Sequence, residues 1–334
     1  MTATTAPAAS VQGSRPLRTG GWRAVAGKEL ADAVTSVRFL VLLAILGLAA
    51  VAPVYFASGD IRDQAERASE AKAVFLALFT LGHDPVPSFV GLVGFLAPLL
   101  GIAFGFDAVN GERSQGTLPR LLAQPIHRDD VINGKFAAGL LVIGAVVLAM
   151  TALVAGIGLL RLGLVPTVAE VERLIAWLVL TIVYIGLWLA FATLCSVLTR
   201  RAATSALIAI GVWLALSLFG TLLADLVAGA IAPLSANPSI DERIANAQAV
   251  QLLSAISPNS VYQQATSVLL NPGITALTVS GAGQLIQLAQ QIPTLLSLEQ
   301  SLLLAWPYVV GLVALMVASF AGAYVAFLRQ EVRA

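Results

Sequence analysis

Six long apolar runs alternate with polar segments along the chain: Phe39 to Ala57, Phe89 to Phe106, Phe136 to Leu160, Leu174 to Leu198, Ala203 to Leu223, and Ser301 to Leu328. None of them contains Asp, Glu, Lys, Arg or His. A helix of about 20 apolar residues crosses a hydrocarbon core about 30 Å thick, so each run predicts one transmembrane helix. The runs are continuous rather than alternating, which excludes barrel strands. The first run starts late and lacks a small-residue cleavage site before the acidic segment that follows. It therefore reads as a span, not a cleavable signal sequence.

Composition agrees with this pattern. The chain is 58% hydrophobic and 11% charged, with a mean hydropathy of +0.88, whereas soluble domains carry about 25% charged residues. Lipid must cover part of so much apolar surface. The single Cys195 lies inside an apolar run and reads as a small packing residue.

The net charge of +1 hides a strong asymmetry. With both termini in the cytoplasm, only Arg62, Arg67, Lys72, Arg161, Arg173 and Arg243 of the 19 Lys and Arg fall outside. That distribution predicts a multi-pass protein of the cell membrane with both ends cytoplasmic. It offers no reason to expect a nucleic-acid partner.

Spans without ionisable groups argue against a proton- or sodium-coupled carrier and against a cation channel. Nor is there a GxxxxGK[ST] phosphate loop: Gly134-Lys135 precedes Phe136, and Gly27-Lys28 precedes Glu29. No His/Cys/Asp/Glu cluster has catalytic or metal spacing near a span, so no cofactor, metal or catalytic site is expected. His83-Asp84-Pro85 reads as a polar turn, and His127 as a residue at a helix start.

The polar segments divide the rest. Residues 1–20, rich in Ala, Thr, Ser and Gly, are expected to be disordered. In 21–38, Trp22, Val25, Leu30, Val34 and Val37 form an imperfect apolar face among basic residues, which suits a helix lying in the headgroup plane. The remainder, 39–334, is a six-helix transmembrane domain. Its outer segment from Ser58 to Ser88 begins with a charged helix paired at Arg62/Glu66 and Asp63/Arg67. The larger outer segment, 224–300, has few charges and turns at Asn237-Pro238, Ser257-Pro258-Asn259 and Asn271-Pro272-Gly273. It predicts short amphipathic helices packed as a cap on the outer ends of the spans.

The densest charge lies in the inner loop 107–135. Thr117 can cap a short helix whose Leu118, Leu121 and Leu122 share one face. Pro125 stops it, and a second helix begins near Arg128 with Asp129 and Asp130 in its first turn. A compact amphipathic helix flanked by Glu112, Arg113, Arg120 and Arg128 is suited to seat on a cytoplasmic partner and move with it. The second span carries Pro98, which removes a backbone donor, and the pair Gly101/Gly105, which lets another helix approach closely. That combination suits helix packing and gating.

The order Glu112, Gly116-Thr117-Leu118, Leu121-Leu122, Pro125, Arg128 and Gly134-Lys135 resembles the signature of ABC-2 type transporter permeases. Lys28-Glu29-Leu30 resembles that family's N-terminal helix motif, and Ser257-Pro258-Asn259 through Tyr262 matches its last outer segment. The resemblance runs from about residue 21 to the end. Within the family, the chain is most similar to permeases with a long outer segment before the last span, including those of the nitrous-oxide-reductase maturation type.

The resemblance implies an all-α, type V exporter-like fold and an export complex of two permeases, a second copy or a paralogue, with two ABC ATPase subunits. The cap at 224–300 would dip into the interface between the permeases, the alternative being a passive elaboration with no substrate contact. ATP and Mg would bind the ATPases, and this chain would be no enzyme itself. Arg113 to Gln124 would be the coupling helix, and Arg200-Arg201 in the turn after the fourth span a second contact. The nearly uncharged spans favour a hydrophobic or amphipathic substrate. The alternative for the same loop is a non-transporting membrane scaffold that signals to a cytoplasmic partner.

Overall fold

The computed structural model describes residues 21–65, 74–116, 127–235, 237–271 and 296–330. The regular elements among them are helices. They are α1 Gly21–Thr35, α2 Val37–Ala65, α3 Val74–Thr80, α4 Phe89–Gly105, α5 Asn110–Ser114, α6 Arg128–Leu162, α7 Val168–Leu198, α8 Ala202–Ile231, α9 Ile240–Ser254, α10 Pro258–Leu270 and α11 Leu298–Arg329. Six of these are long and apolar enough to cross a membrane, and they fall on the six predicted runs. The expected tail 1–20, the charge pairs of the first outer segment and the helix at 117–124 lie outside the described residues or side chains.

Polar residues just before the apolar runs start several helices. The Ser88 hydroxyl accepts from the Gly91 amide at 3.2 Å and opens α4. Reciprocal capping boxes at Thr167/Glu170 and Ser297/Gln300 open α7 and α11. Helix α6 begins at Arg128 with Asp129 and Asp130 in its first turn, where the helix dipole favours them. The charged stretch after the first run proves to be the end of α2, which continues to Ala65 without a break.

Helix α7 is the centre of the bundle. Of its most apolar window 61% is buried, against 11% for both α8 and α11. Trp177, Tyr184 and Ile185 are fully enclosed. The open sides of α2, α8 and α11 carry Ile45, Leu48, Leu218, Phe219, Leu315 and Val317, an apolar surface fitted to acyl chains. An even number of spans returns both ends of the described chain to one face, together with α5 and the α7–α8 turn. We call this the terminal face and its opposite the far face.

Helix α1 lies against the start of α6. Of the predicted apolar face, Val25 is buried and Leu30 half-buried, while Trp22, Val34 and Val37 are exposed. The contact depends on Gly134, where an added Cβ would stand 2.7 Å from Val25 Cβ and 2.8 Å from the Trp22 carbonyl.

The described part of segment 224–300 does more than cover the far ends of the spans. Helix α9 runs along α8, and α10 then enters the bundle among α4, α7, α8 and α11. At its tip the Ser257 hydroxyl bonds the Leu216 carbonyl of α8 at 2.9 Å. The Tyr262 ring stacks on Tyr184 at 4.4 Å, and the two hydroxyls are held by Thr181 (3.0 Å) and the Gly94 carbonyl (2.9 Å). Tyr184 and Leu216 sit near the middles of their apolar runs, so the tip reaches mid-depth. Ser257 also caps α10, and Pro258 occupies its first turn, where a missing amide proton costs nothing.

Helix α10 then climbs back to Arg173. The buried Arg173 guanidinium donates to the Leu269 carbonyl (2.8 Å), the Ser301 hydroxyl (3.0 Å) and the Leu296 carbonyl, tying α7, α10 and α11 together. Arg173→Met strands these acceptors. We expect it to cost about 2–3 kcal/mol, read as a lower melting temperature in detergent, with Arg173→Lys intermediate.

Candidate functional site

Three motifs that are far apart in sequence meet on the terminal face. The Lys135 ammonium lies 2.9 Å from Glu29 Oε1 on α1 and 2.8 Å from Glu112 Oε1 on α5. Glu29 also lies 3.7 Å from Lys28, which pairs with Asp32 at 3.2 Å. Adjacent residues of α6 thus perform two tasks: Gly134 lets α1 come close, and Lys135 fastens it. Around them is a cavity of about 560 Å³, lined by Lys28, Glu29, Asp32, Asp107, Glu112 and Lys135 together with Phe104 and Ala138. Four carboxylates against two ammonium groups leave its wall net acidic.

A second knot holds the other side of α5. The amides of Val109 and Asn110 both donate to the Ser196 hydroxyl near the end of α7, at 3.0 and 3.2 Å. The Asn110 side-chain amide reaches Thr199 Oγ1 at 3.3 Å. Gln330, just past α11, donates to the Val197 carbonyl at 2.7 Å and accepts from the Arg113 guanidinium. Arg128 reaches the Gln330 carbonyl at 3.5 Å. Beneath lies a small apolar cluster of Val109, Val131, Ile132, Val197, Ala323 and Phe327. The stem of the inner loop is thereby bound to α1, α6, α7 and α11 at once.

The predicted residues divide accordingly. Glu112, Arg113 and Arg128 belong to these two knots. Arg200 and Arg201 are exposed in the turn that joins α7 to α8. Thr117, Leu118, Arg120, Leu121 and Leu122 lie outside the described residues. Pro98 sits inside α4, which continues through it.

The glycine face of α4 meets a helix of the same chain. A Cβ on Gly101 would overlap the Ile185 carbonyl and stand 2.8 Å from the Leu189 nitrogen; one on Gly105 would stand 2.7 Å from both Ala192 Cβ and the Leu189 carbonyl. Helix packing is therefore the role the contacts of Gly101 and Gly105 display. Ser196 and Gln330 were not singled out from sequence; an uncharged amide immediately after the last basic residue of the final span was the available sign.

Ammonium–carboxylate pairs, amides and hydroxyls joining five helices can hold and transmit a displacement. Among the described residues, no group of three or more His, Cys, Asp or Glu is placed to hold a metal ion. His83 instead faces Asp60 at 3.0 Å and stacks on Phe56.

Comparison with known proteins agrees with this geometry. Residues 23–332 match the family described as ABC-2 family transporter protein. The chain belongs to that family. It is 27% identical over 279 residues to the probable ABC transporter permease protein NosY of Pseudomonas aeruginosa, covering 80% of this chain and 87% of that one. Against the protein of the same name from Stutzerimonas stutzeri, identity is 29% over 237 residues, covering 68% and 78% of the two chains. The protein is a multi-pass membrane permease subunit of an ABC transporter, and its family implies an ATPase partner.

Proposed function

We propose that this permease belongs to an exporter whose ATP and Mg are bound by separate cytoplasmic ABC subunits. In this reading the terminal face is cytoplasmic, and a second permease, a copy or a paralogue, completes the translocation path. The substrate is hydrophobic or amphipathic. The observation that carries the proposal is Lys135, which joins the stem of the inner loop (Glu112) to α1 (Glu29) and to a helix that crosses the bundle. A push received at 113–124 reaches α1, α6, α7 and α11 together rather than being lost in a slack connection. Arg200 and Arg201 add exposed charge beside it for a second contact.

The test places charge on the face of the loop expected to seat in the ATPase. With Leu121 and Leu122 both changed to Asp, the permease should reach the membrane at its normal level. The ATPase recovered with it from mild detergent should fall by about tenfold, the equivalent of 1.4 kcal/mol. Normal recovery of the ATPase would reduce the loop to a connector. An intact complex that binds and hydrolyses ATP but moves nothing would favour a membrane scaffold.

A further inference from the structure

Helix α10 is buried on three sides and polar on the fourth. Val261, Tyr262, Ala265, Thr266, Val268 and Leu269 are enclosed. Ser260, Gln263, Gln264, Ser267 and Asn271 recur at i, i+3, i+4, i+7 and i+11 and stay partly or fully open. None of them is charged. On one flank Gln264 donates to Ser254 of α9 at 3.3 Å. On the other, Gln263 occupies the space that a side chain on Gly94 of α4 would need. The open face therefore lies in the groove between α9 and α4.

Depth makes this face informative. Its inner end is level with Tyr184 and Leu216, at the middles of their runs, and its outer end is level with Arg173. From Ser260 to Asn271 the rise is about 17 Å, roughly half of a 30 Å hydrocarbon core. A row of amides and hydroxyls at that depth cannot face acyl chains, which satisfy no hydrogen bond. The open sides of α8 and α11 are predominantly apolar instead. At the inner end of the row Asn259 Oδ1 is buried without a hydrogen-bond partner among the described residues.

The geometry points to a water-filled half-channel, lined by this face of α10, that runs from the far face to mid-depth and passes substrates through a neutral hydrogen-bonding group such as a hydroxyl, carbonyl or amide. Every side chain in the row can both donate and accept a hydrogen bond. The neighbouring cation, Arg173, is 4% exposed and turned toward two carbonyls and a hydroxyl, so it does not line the path. The inference rests on the transporter reading and narrows its substrate class to amphipathic molecules whose polar part is uncharged.

Thiol chemistry tests it in the whole complex. Cys195, the chain's one cysteine, is changed to Ser. Single cysteines are then placed at Ser260, Gln263, Ser267 and Asn271, with Leu315→Cys on the apolar side of α11 and Ser114→Cys on the terminal face as references. Intact cells are treated from outside with water-soluble methanethiosulfonates carrying a cationic, an anionic or a neutral hydroxylated group. The α10 positions should react at least about tenfold faster than Leu315→Cys, because only a hydrated thiol ionises to the reactive thiolate. The neutral reagent should match or exceed both charged ones, and Ser114→Cys should stay unlabelled.

Reaction at α10 no faster than at Leu315→Cys overturns the half-channel. A tenfold preference for one charge overturns the neutral class. ATPase recovered with each variant separates the two proposals: unreactive cysteines in a complex that retains its ATPase refute the half-channel alone, whereas a wild-type permease that recovers no ATPase refutes the transporter reading.

Discussion

Changing Lys135 to Met should be among the most damaging single substitutions on the terminal face, although it removes no apolar contact. The side chain is 9% exposed, and its two partners, Glu29 and Glu112, are 25% and 19% exposed. Without the ammonium, two partly desolvated carboxylates confront each other across the gap it filled. Removing one member of a buried ionic cluster costs on the order of 3 kcal/mol, and partial exposure here reduces that figure. In detergent the expected result is a melting temperature lower by roughly 5 °C, with less ATPase recovered.

The matching control neutralises the whole cluster. Lys135→Met combined with Glu29→Gln and Glu112→Gln removes the repulsion along with the attraction and should regain most of the lost melting temperature. If Lys135→Met alone melts like wild type, the cluster is not what holds α1 and α5 to α6.

The second large effect should come from a single methyl group. In Gly101→Ala the new Cβ overlaps the Ile185 carbonyl and comes within 2.8 Å of the Leu189 nitrogen. In Gly105→Ala it meets the Leu189 carbonyl and Ala192 Cβ, both at 2.7 Å. Most of these neighbours are backbone atoms of the most buried helix, so neither side can turn away. Each substitution should cost about 2–3 kcal/mol, and the pair together should remove most folded protein from the membrane. Gly47→Ala is the control, since a Cβ there meets nothing within 4 Å. It should be neutral or stabilise α2 by up to about 1 kcal/mol. Wild-type levels of the Gly101/Gly105 double variant would mean that α4 does not need this close approach to α7.

The spans were legible in the sequence because charge is so strictly excluded from them. Their starts were less legible: the apolar runs begin at Leu174 and Ser301, whereas the caps Thr167 and Ser297 open the helices earlier, at Val168 and Leu298. The small-residue face of α4 was visible, but which helix it met was not, because a glycine pair specifies close approach and not the partner. The same holds for the charged cluster. Glu29, Glu112 and Lys135 each belong to a motif noticed along the chain, yet pairing across 106 positions is a product of topology and leaves no local sign. Helix α10 was hardest to read. Its Ala, Ser and Gln content looks peripheral, and only the crowding of Tyr262 against Tyr184 reveals that three of its sides are interior.

The stem of the inner loop is secured by two fastenings of different chemistry, and they should answer to different solutions. The Lys135 cluster is ionic and borders an open polar cavity, so concentrated salt screens it. Gln330 is uncharged, and its hydrogen bonds to the Val197 carbonyl and from Arg113 act at short range. Brine should therefore loosen α1 while leaving α5 moored to the last helix, so that the loop pivots about Gln330 instead of coming adrift.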